Sequence, residues 1–471
     1  MKSIRNALMS IMLISCLVIP NLMYASTSQG YMTTGEFVKL LESLDTYRRL
    51  EDVSNIEAVL TRKDAANILV KLMGYEGIAK DYENSSEFKD VTQYKGNIAL
   101  VKELGIMSGV SETTFNPTGK VSKEQADTIY ERLMTKLSIP TKWNHAFYAI
   151  SSSNQMDLIP EYDAISFGWS QVVYDDTNQN FNLESTNGNN DFKIPAGFSI
   201  PLDLVKENGG EAYLMVFFED HNQLTQKLLN DSGKSEYLIS QIVGLCNQVS
   251  KDGVTRSFDG VTIDFENFIS SDLKEAYINF LDKLNLELKK NNKKLNVALQ
   301  PNTYFKGYDY KGIGQIADKI ILMAHDYAPT KLSVFEQELG VVMTPITPIN
   351  EIYKVLNEIT HPVTGTENRD KIVLQISYGS VQWQVKDNKI INAKPYTPSY
   401  DKIYGRLNME GTKGIYNEQY QNAYATYEQE GIKNVIWYEN NKSVKAKIDL
   451  AKLFGVNNVS YWRLGTIPQY E

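Results

Sequence analysis

The chain has 471 residues, 42% of them apolar and 22% charged, with a formal net charge of −9. That length accommodates one large domain and a smaller one, and the acidic balance speaks against nucleic acid or anionic lipid as a partner. Two cysteines and four scattered histidines give neither a disulfide framework nor metal-ligand spacing, so no metal site is expected.

The chain opens with Lys2 and Arg5, an apolar run from Ala7 to Ile19, and the small-residue site Met23-Tyr24-Ala25-Ser26. This pattern predicts a secretory signal over residues 1–25, and no membrane segment once it is removed. Leu13-Ile14-Ser15-Cys16 has the residue types of a lipid-attachment box, but the Leu17-Val18-Ile19 that follows fits one poorly. Cleavage near Ala25 leaves Cys246 as the remaining cysteine. Its neighbours Ile239, Ile242 and Val243 mark a helical apolar face, where a thiol is simply buried.

Residues 31–138 predict a small all-α domain. Thr33, Thr61 and Ser122 each stand at a helix start with Glu36, Asp64 or Gln125 three residues on, the spacing of a capping box. Apolar residues follow at helical spacing, such as Leu40, Leu41 and Leu44, or Ile68, Leu69 and Leu72. The three segments share one grammar and are expected to be internal repeats, the earlier ones truncated. The fullest runs from Phe88 to Leu133. With Asp90-Val91, Gly105-Ile106, Gly109, Phe115 and Pro117 it resembles an S-layer homology repeat. The resemblance implies non-covalent attachment to a secondary cell-wall polymer at the cell surface. The family's Thr-Arg-Ala-Glu signature is eroded to Thr61-Arg62-Lys63-Asp64 and Ser122-Lys123-Glu124-Gln125, and Lys123 lacks the bidentate fork of arginine.

Beyond Pro140 and Trp143 the grammar changes. Short apolar strands are expected at 145–150, 164–169, 212–218, 260–265, 295–299, 319–323, 371–376 and 459–462, alternating with helical stretches. Eight such units over residues 143–471 predict a (β/α)8 TIM barrel. The polar stretch from Asn187 to Asn190 is expected to be an exposed loop.

The fourth strand carries the chemistry. In Phe258-Asp259-Gly260-Val261-Thr262-Ile263-Asp264-Phe265-Glu266-Asn267, alternation turns Val261, Ile263 and Phe265 towards the surrounding helices. Thr262, Asp264 and Glu266 then face the barrel interior, with Glu266 nearest the carboxyl end where such barrels hold their sites. Charges there are costly unless used, and two carboxylates one strand-repeat apart raise each other's affinity for protons. A carboxylic acid kept protonated near neutral pH is what general acid catalysis needs. Asp259, near the strand start, is expected to be structural.

The same stretch resembles the Asp-x-x-Asp-x-Asp-x-Glu signature of glycoside hydrolase family 18, with Thr262 at the second Asp. Met323-Ala324-His325-Asp326-Tyr327, Ser377-Tyr378-Gly379 and Ser460-Tyr461-Trp462-Arg463 resemble its later motifs. The resemblance implies a retaining, substrate-assisted cleavage of an N-acetylglucosamine-containing polysaccharide, with peptidoglycan favoured over chitin or N-glycans. It assigns Glu266 as acid and Asp264 as the group orienting the substrate acetamide. Asp326, Tyr378, His325 and Tyr327 become sugar contacts, and Trp462 the apolar floor. His325 stands where the family has a tyrosine. A non-catalytic, lectin-like relative is the alternative that the resemblance leaves open.

Overall fold

The computed structural model describes residues 30–44, 53–84, 88–187, 191–219, 221 and 223–468. The signal segment expected over residues 1–25, and Cys16 with it, lie outside these. Among the described residues no helix is long and apolar enough to cross a membrane.

The three expected helix starts are real. Thr33 and Ser122 form complete capping boxes with Glu36 and Gln125, and Thr61 accepts from the Asp64 amide. The segments just before these helices close a ring: the Met32 amide donates to Val121 O (2.9 Å), Val121 to Leu60 O (2.9 Å) and Leu60 to Met32 O (2.8 Å). The three segments are therefore joined in one cyclic set of backbone bonds. In the fullest one, the Asp90 carboxylate accepts from the Phe115 and Asn116 amides (2.9 and 2.7 Å). Arg62 donates from Nε to Phe115 O (2.8 Å), lies over the Phe115 ring, and reaches Ser108 O with Nη2.

The helical region packs directly on the barrel and shares one continuous core with it. Tyr82 meets Tyr353 edge-on at 5.6 Å, Lys136 Nζ donates to Leu453 O (2.7 Å), and Gln421 Nε2 donates to Gly74 O (3.1 Å).

The barrel strands are β1 (Trp143–Tyr148), β2 (Ala164–Asp175), β3 (Glu211–Glu219), β4 (Gly260–Glu266), β5 (Lys294–Leu299), β6 (Lys319–Met323), β7 (Ile372–Ser377) and β8 (Asn458–Trp462). All pair in parallel in this order, and β1 pairs with both β8 and β2, which closes the cylinder. Phe147, Met215, Ala298, Ile321 and Val373 fill its interior. Phe265 faces outward onto Tyr277 and Phe280, as alternation requires. Asp259 is structural, accepting from the Ala212 amide (2.7 Å) and pairing with Lys206. Cys246 is buried.

Beyond the expected strands, Asn180–Glu184 pairs antiparallel with β2, Val249–Lys251 and Val254–Arg256 form a hairpin, and a larger sheet is inserted late in the chain. Residues 380–438, between β7 and β8, form a five-stranded antiparallel sheet carrying the helix Tyr400–Leu407. Trp383 Nε1 donates to Thr344 Oγ1 and Trp437 Nε1 to Val342 O, both at 2.7 Å. These bonds hold the insertion against the loop that follows β6. A fully buried Lys447–Glu439 pair (2.9 Å) secures its far side, and Asn422 Nδ2 also donates to Glu439 (3.0 Å).

Candidate active site

The site begins with the pleat of β4. Thr262 and Asp264 point into the cylinder and are buried, and Glu266 emerges half-buried at its carboxyl end. In register, Glu266 lies beside Glu219 of β3, and Asp264 between Phe217 and Ala298. Gln300 Nε2 donates to Glu266 Oε2 (3.2 Å), and Gln300 Oε1 accepts the Asn267 amide (2.7 Å), so the end of β5 orients the carboxyl. Burial pushes Glu266 up from 4.5 to about 7. His325 opposes the rise, and Glu219 and Asp326 add to it. Asp264 is pushed well above the carboxylate range by burial first and then by the charge of Glu266. Its Oδ1 is buried without a hydrogen-bond partner.

Beneath the pair runs an uncharged network. Thr262 Oγ1 and Ser166 Oγ are 2.7 Å apart, Ser166 Oγ lies 2.8 Å from His145 Nε2, and His145 Nδ1 lies 2.7 Å from Ser460 Oγ. Burial pushes the His145 imidazole down to about 3, which keeps it neutral. Hydroxyls and a neutral imidazole thus stand where the family pattern carries a second aspartate.

Two cavities open at the carboxyl end of the strands. The larger, about 730 Å³, is lined by Glu266, Gln300, Tyr304, His325, Asp326 and Tyr327, together with Val341, Met343, Thr344 and Pro345 of the loop held by the insertion. The smaller, about 340 Å³, has Trp462, Phe147, Met215 and Arg463 in its wall. The structure therefore brings Glu266, His325, Asp326 and Tyr327 to one cavity and Trp462 to the other. Tyr378 joins neither lining: it stacks on Tyr461 at 6.0 Å with near-parallel planes.

His325 is engaged on both ring nitrogens, Nδ1 with Asp326 Oδ2 (2.7 Å) and Nε2 with Gln375 Oε1 (2.8 Å). Two acceptors favour the imidazolium, which has a donor on each nitrogen. Burial disfavours that form, but Asp326, Gln375 and Glu266 together raise the His325 pKa. Asp326 falls below its usual range because the His325 charge and hydrogen bond outweigh burial. Gln300, Gln375 and Glu219 were missing from the sequence reading. Their one signal was position, at the carboxyl ends of expected strands or one residue beyond.

The sequence profile of glycosyl hydrolases family 18 matches residues 135–466. The chain belongs to that family. The S-layer homology domain profile matches residues 87–126. The cortical fragment-lytic enzyme of Bacillus anthracis is 23% identical over 218 residues, covering 44% of this chain and 46% of that protein. The chain spans about half the length of the first curated relatives it matches. Among solved structures, the Bacillus cereus spore cortex-lytic enzyme SleL superposes with a TM-score of 0.54 at 20% identity, over 69% of this chain and 71% of that one. The chitinase-like agglutinin RobpsCRA from Robinia pseudoacacia does so with a TM-score of 0.53 at 14% identity, over 69% and 96%. At these identities the shared property is the fold.

Proposed function

We propose that this family 18 protein is a glycosidase that cuts β-1,4 bonds of an N-acetylglucosamine-containing polymer, peptidoglycan before chitin or N-glycan. The observation that carries the reading is Glu266, a carboxyl raised to about 7 at the open barrel mouth, directly above the buried Asp264. A group that holds its proton at neutral pH is suited to protonating a glycosidic oxygen. In the substrate-assisted course, an exception to the two-carboxylate scheme, the substrate acetamido oxygen attacks the anomeric carbon as the leaving oxygen takes the Glu266 proton. Asp264 orients and stabilises the acetamido nitrogen. Water then opens the oxazolinium ion with Glu266 as base, retaining configuration. Trp462 supplies the apolar face beneath the sugar. Asp326, paired with His325, and Tyr327 flank the scissile bond, and Tyr378 supports the β8 end.

Residues 31–138 are read as the attachment to a secondary wall polymer, which puts the barrel at the cell surface beside peptidoglycan. The S-layer homology match supports this, although Arg62 spends two donor groups on its own loop.

Mass spectrometry of muropeptides after digestion tests the chemistry. New reducing N-acetylglucosamine ends are expected from wild type and none from Glu266→Gln. Binding without cleavage by both proteins would give the lectin-like alternative instead. The intact chain should co-sediment with purified walls and stay in solution once the secondary polymer has been stripped; sedimentation indifferent to stripping would remove the attachment reading.

A further inference from the structure

The two cavities at the barrel mouth differ in charge. The larger is lined by the carboxyl of Glu266, the carboxylates of Asp326, Glu336 and Glu351 and the His325 imidazole, with no lysine or arginine in its wall. The smaller holds Arg463 beside Trp462, with Asp191 as its acidic member. Among these lining residues, the arginine or lysine charge thus stands on the Trp462 side of the mouth, while the His325 imidazolium of the larger cavity is already paired with Asp326.

Arg463 is half-buried and only partly employed. Its Nη1 donates to Ser151 Oγ (2.8 Å) and Ser152 Oγ (3.3 Å). A guanidinium has five N–H donors, and among the described residues no carboxylate stands at ion-pair distance from this one. Asp191 acts on it only through its charge. A purely structural brace for the Ser151–Ser152 turn needs Nη1 alone, and Ser152 is in any case fixed by its bonds to Leu464 O and the Ala149 amide. The remaining Nε–Nη2 edge has the planar, paired geometry that suits a carboxylate.

We propose that Arg463 receives a carboxylate substituent of the glycan on the Trp462 side of the cut. The site would then prefer a chain in which the cleaved N-acetylated sugar neighbours a carboxylate-bearing one. The proposal rests on the glycosidase reading above and adds a substrate class to it. The carboxylate-lined cavity on the other side repels the same substituent, so the cleft also sets which way an asymmetric chain lies in it.

The test compares two soluble glycans of equal length: a neutral β-1,4 N-acetylglucosamine oligomer, and a peptidoglycan-derived chain with free lactyl carboxylates. Arg463→Gln should lower kcat/KM for the acidic chain about 10- to 100-fold, the range for a charged hydrogen bond, and leave the neutral oligomer within about twofold. Arg463→Lys should restore part of the loss. Asp191→Asn, which removes a competing anion, should raise kcat/KM for the acidic chain alone. Equal losses on both glycans would make Arg463 a brace and overturn the proposal; so would no loss on either. Equilibrium binding of both glycans to Glu266→Gln, with and without Arg463→Gln, separates the two readings. Absent cleavage with a preserved acidic-chain contrast defeats the glycosidase reading alone, and cleavage without that contrast defeats this one.

Discussion

Glu266→Gln should make the protein more stable as it removes the acid, and by an amount that depends on pH. In the folded protein Glu266 binds its proton more tightly than in the unfolded chain, about 7 against 4.5. A raised carboxyl contributes stability that is fully present below the unfolded value and is lost as pH rises through the folded one. Linkage gives a loss of about 0.8 kcal/mol at pH 5 and about 3.3 kcal/mol at pH 8. Glutamine has the same shape, can accept the Gln300 bond, and does not titrate. The variant should therefore gain on wild type by roughly 2.5 kcal/mol between pH 5 and pH 8. Relief of Asp264, whose own pKa is raised by the Glu266 charge, acts in the same direction. Denaturant unfolding of both proteins at the two pH values measures the gap, while activity falls about 10²- to 10⁴-fold. A stability gap equal at both values, or larger at pH 5, would refute a carboxyl held protonated by its surroundings.

Three further outcomes follow from the same geometry. Glu219→Gln removes a charge that raises Glu266; because Glu219 is partly exposed and screened, the basic limb of the kcat/KM profile should move down by only about half a pH unit. Thr262→Asp puts a second carboxylate below Asp264, which disfavours ionisation of Asp264 further, so the acidic limb should move up; an unmoved limb would refute this. Lys447→Met strands the buried Glu439 without its cation and should cost about 3–5 kcal/mol, measured as a lowered unfolding midpoint.

The barrel was legible because its strands are short apolar runs and helices stand between successive ones. The segment from Val261 to Phe265 even showed which side chains face inward. The sheet at residues 380–438 was not legible. Its strands alternate like any half-buried pair, and its tryptophans Trp383 and Trp437 are fully buried with their indole nitrogens bonded. The carboxylates Asp264 and Glu266 were found by period and position. The company they keep was not, because Gln300, Gln375 and Glu219 come from other strands, and only the closed register brings them near. His325 was read as a donor to the sugar, yet Asp326 and Gln375 occupy both of its nitrogens. Sequence spacing alone could not place Gln375, fifty positions away, against that ring.

The ring of amide–carbonyl bonds through Met32, Leu60 and Val121 makes the three segments that carry them interdependent. Each segment gives one bond to a neighbour and takes one from the other. Excising any one of them would leave a donor and an acceptor stranded on the two that stay. The unit of inheritance, and of any engineered graft, is accordingly the trio, and a shuffled chain that carries one or two of these segments should lose the arrangement altogether.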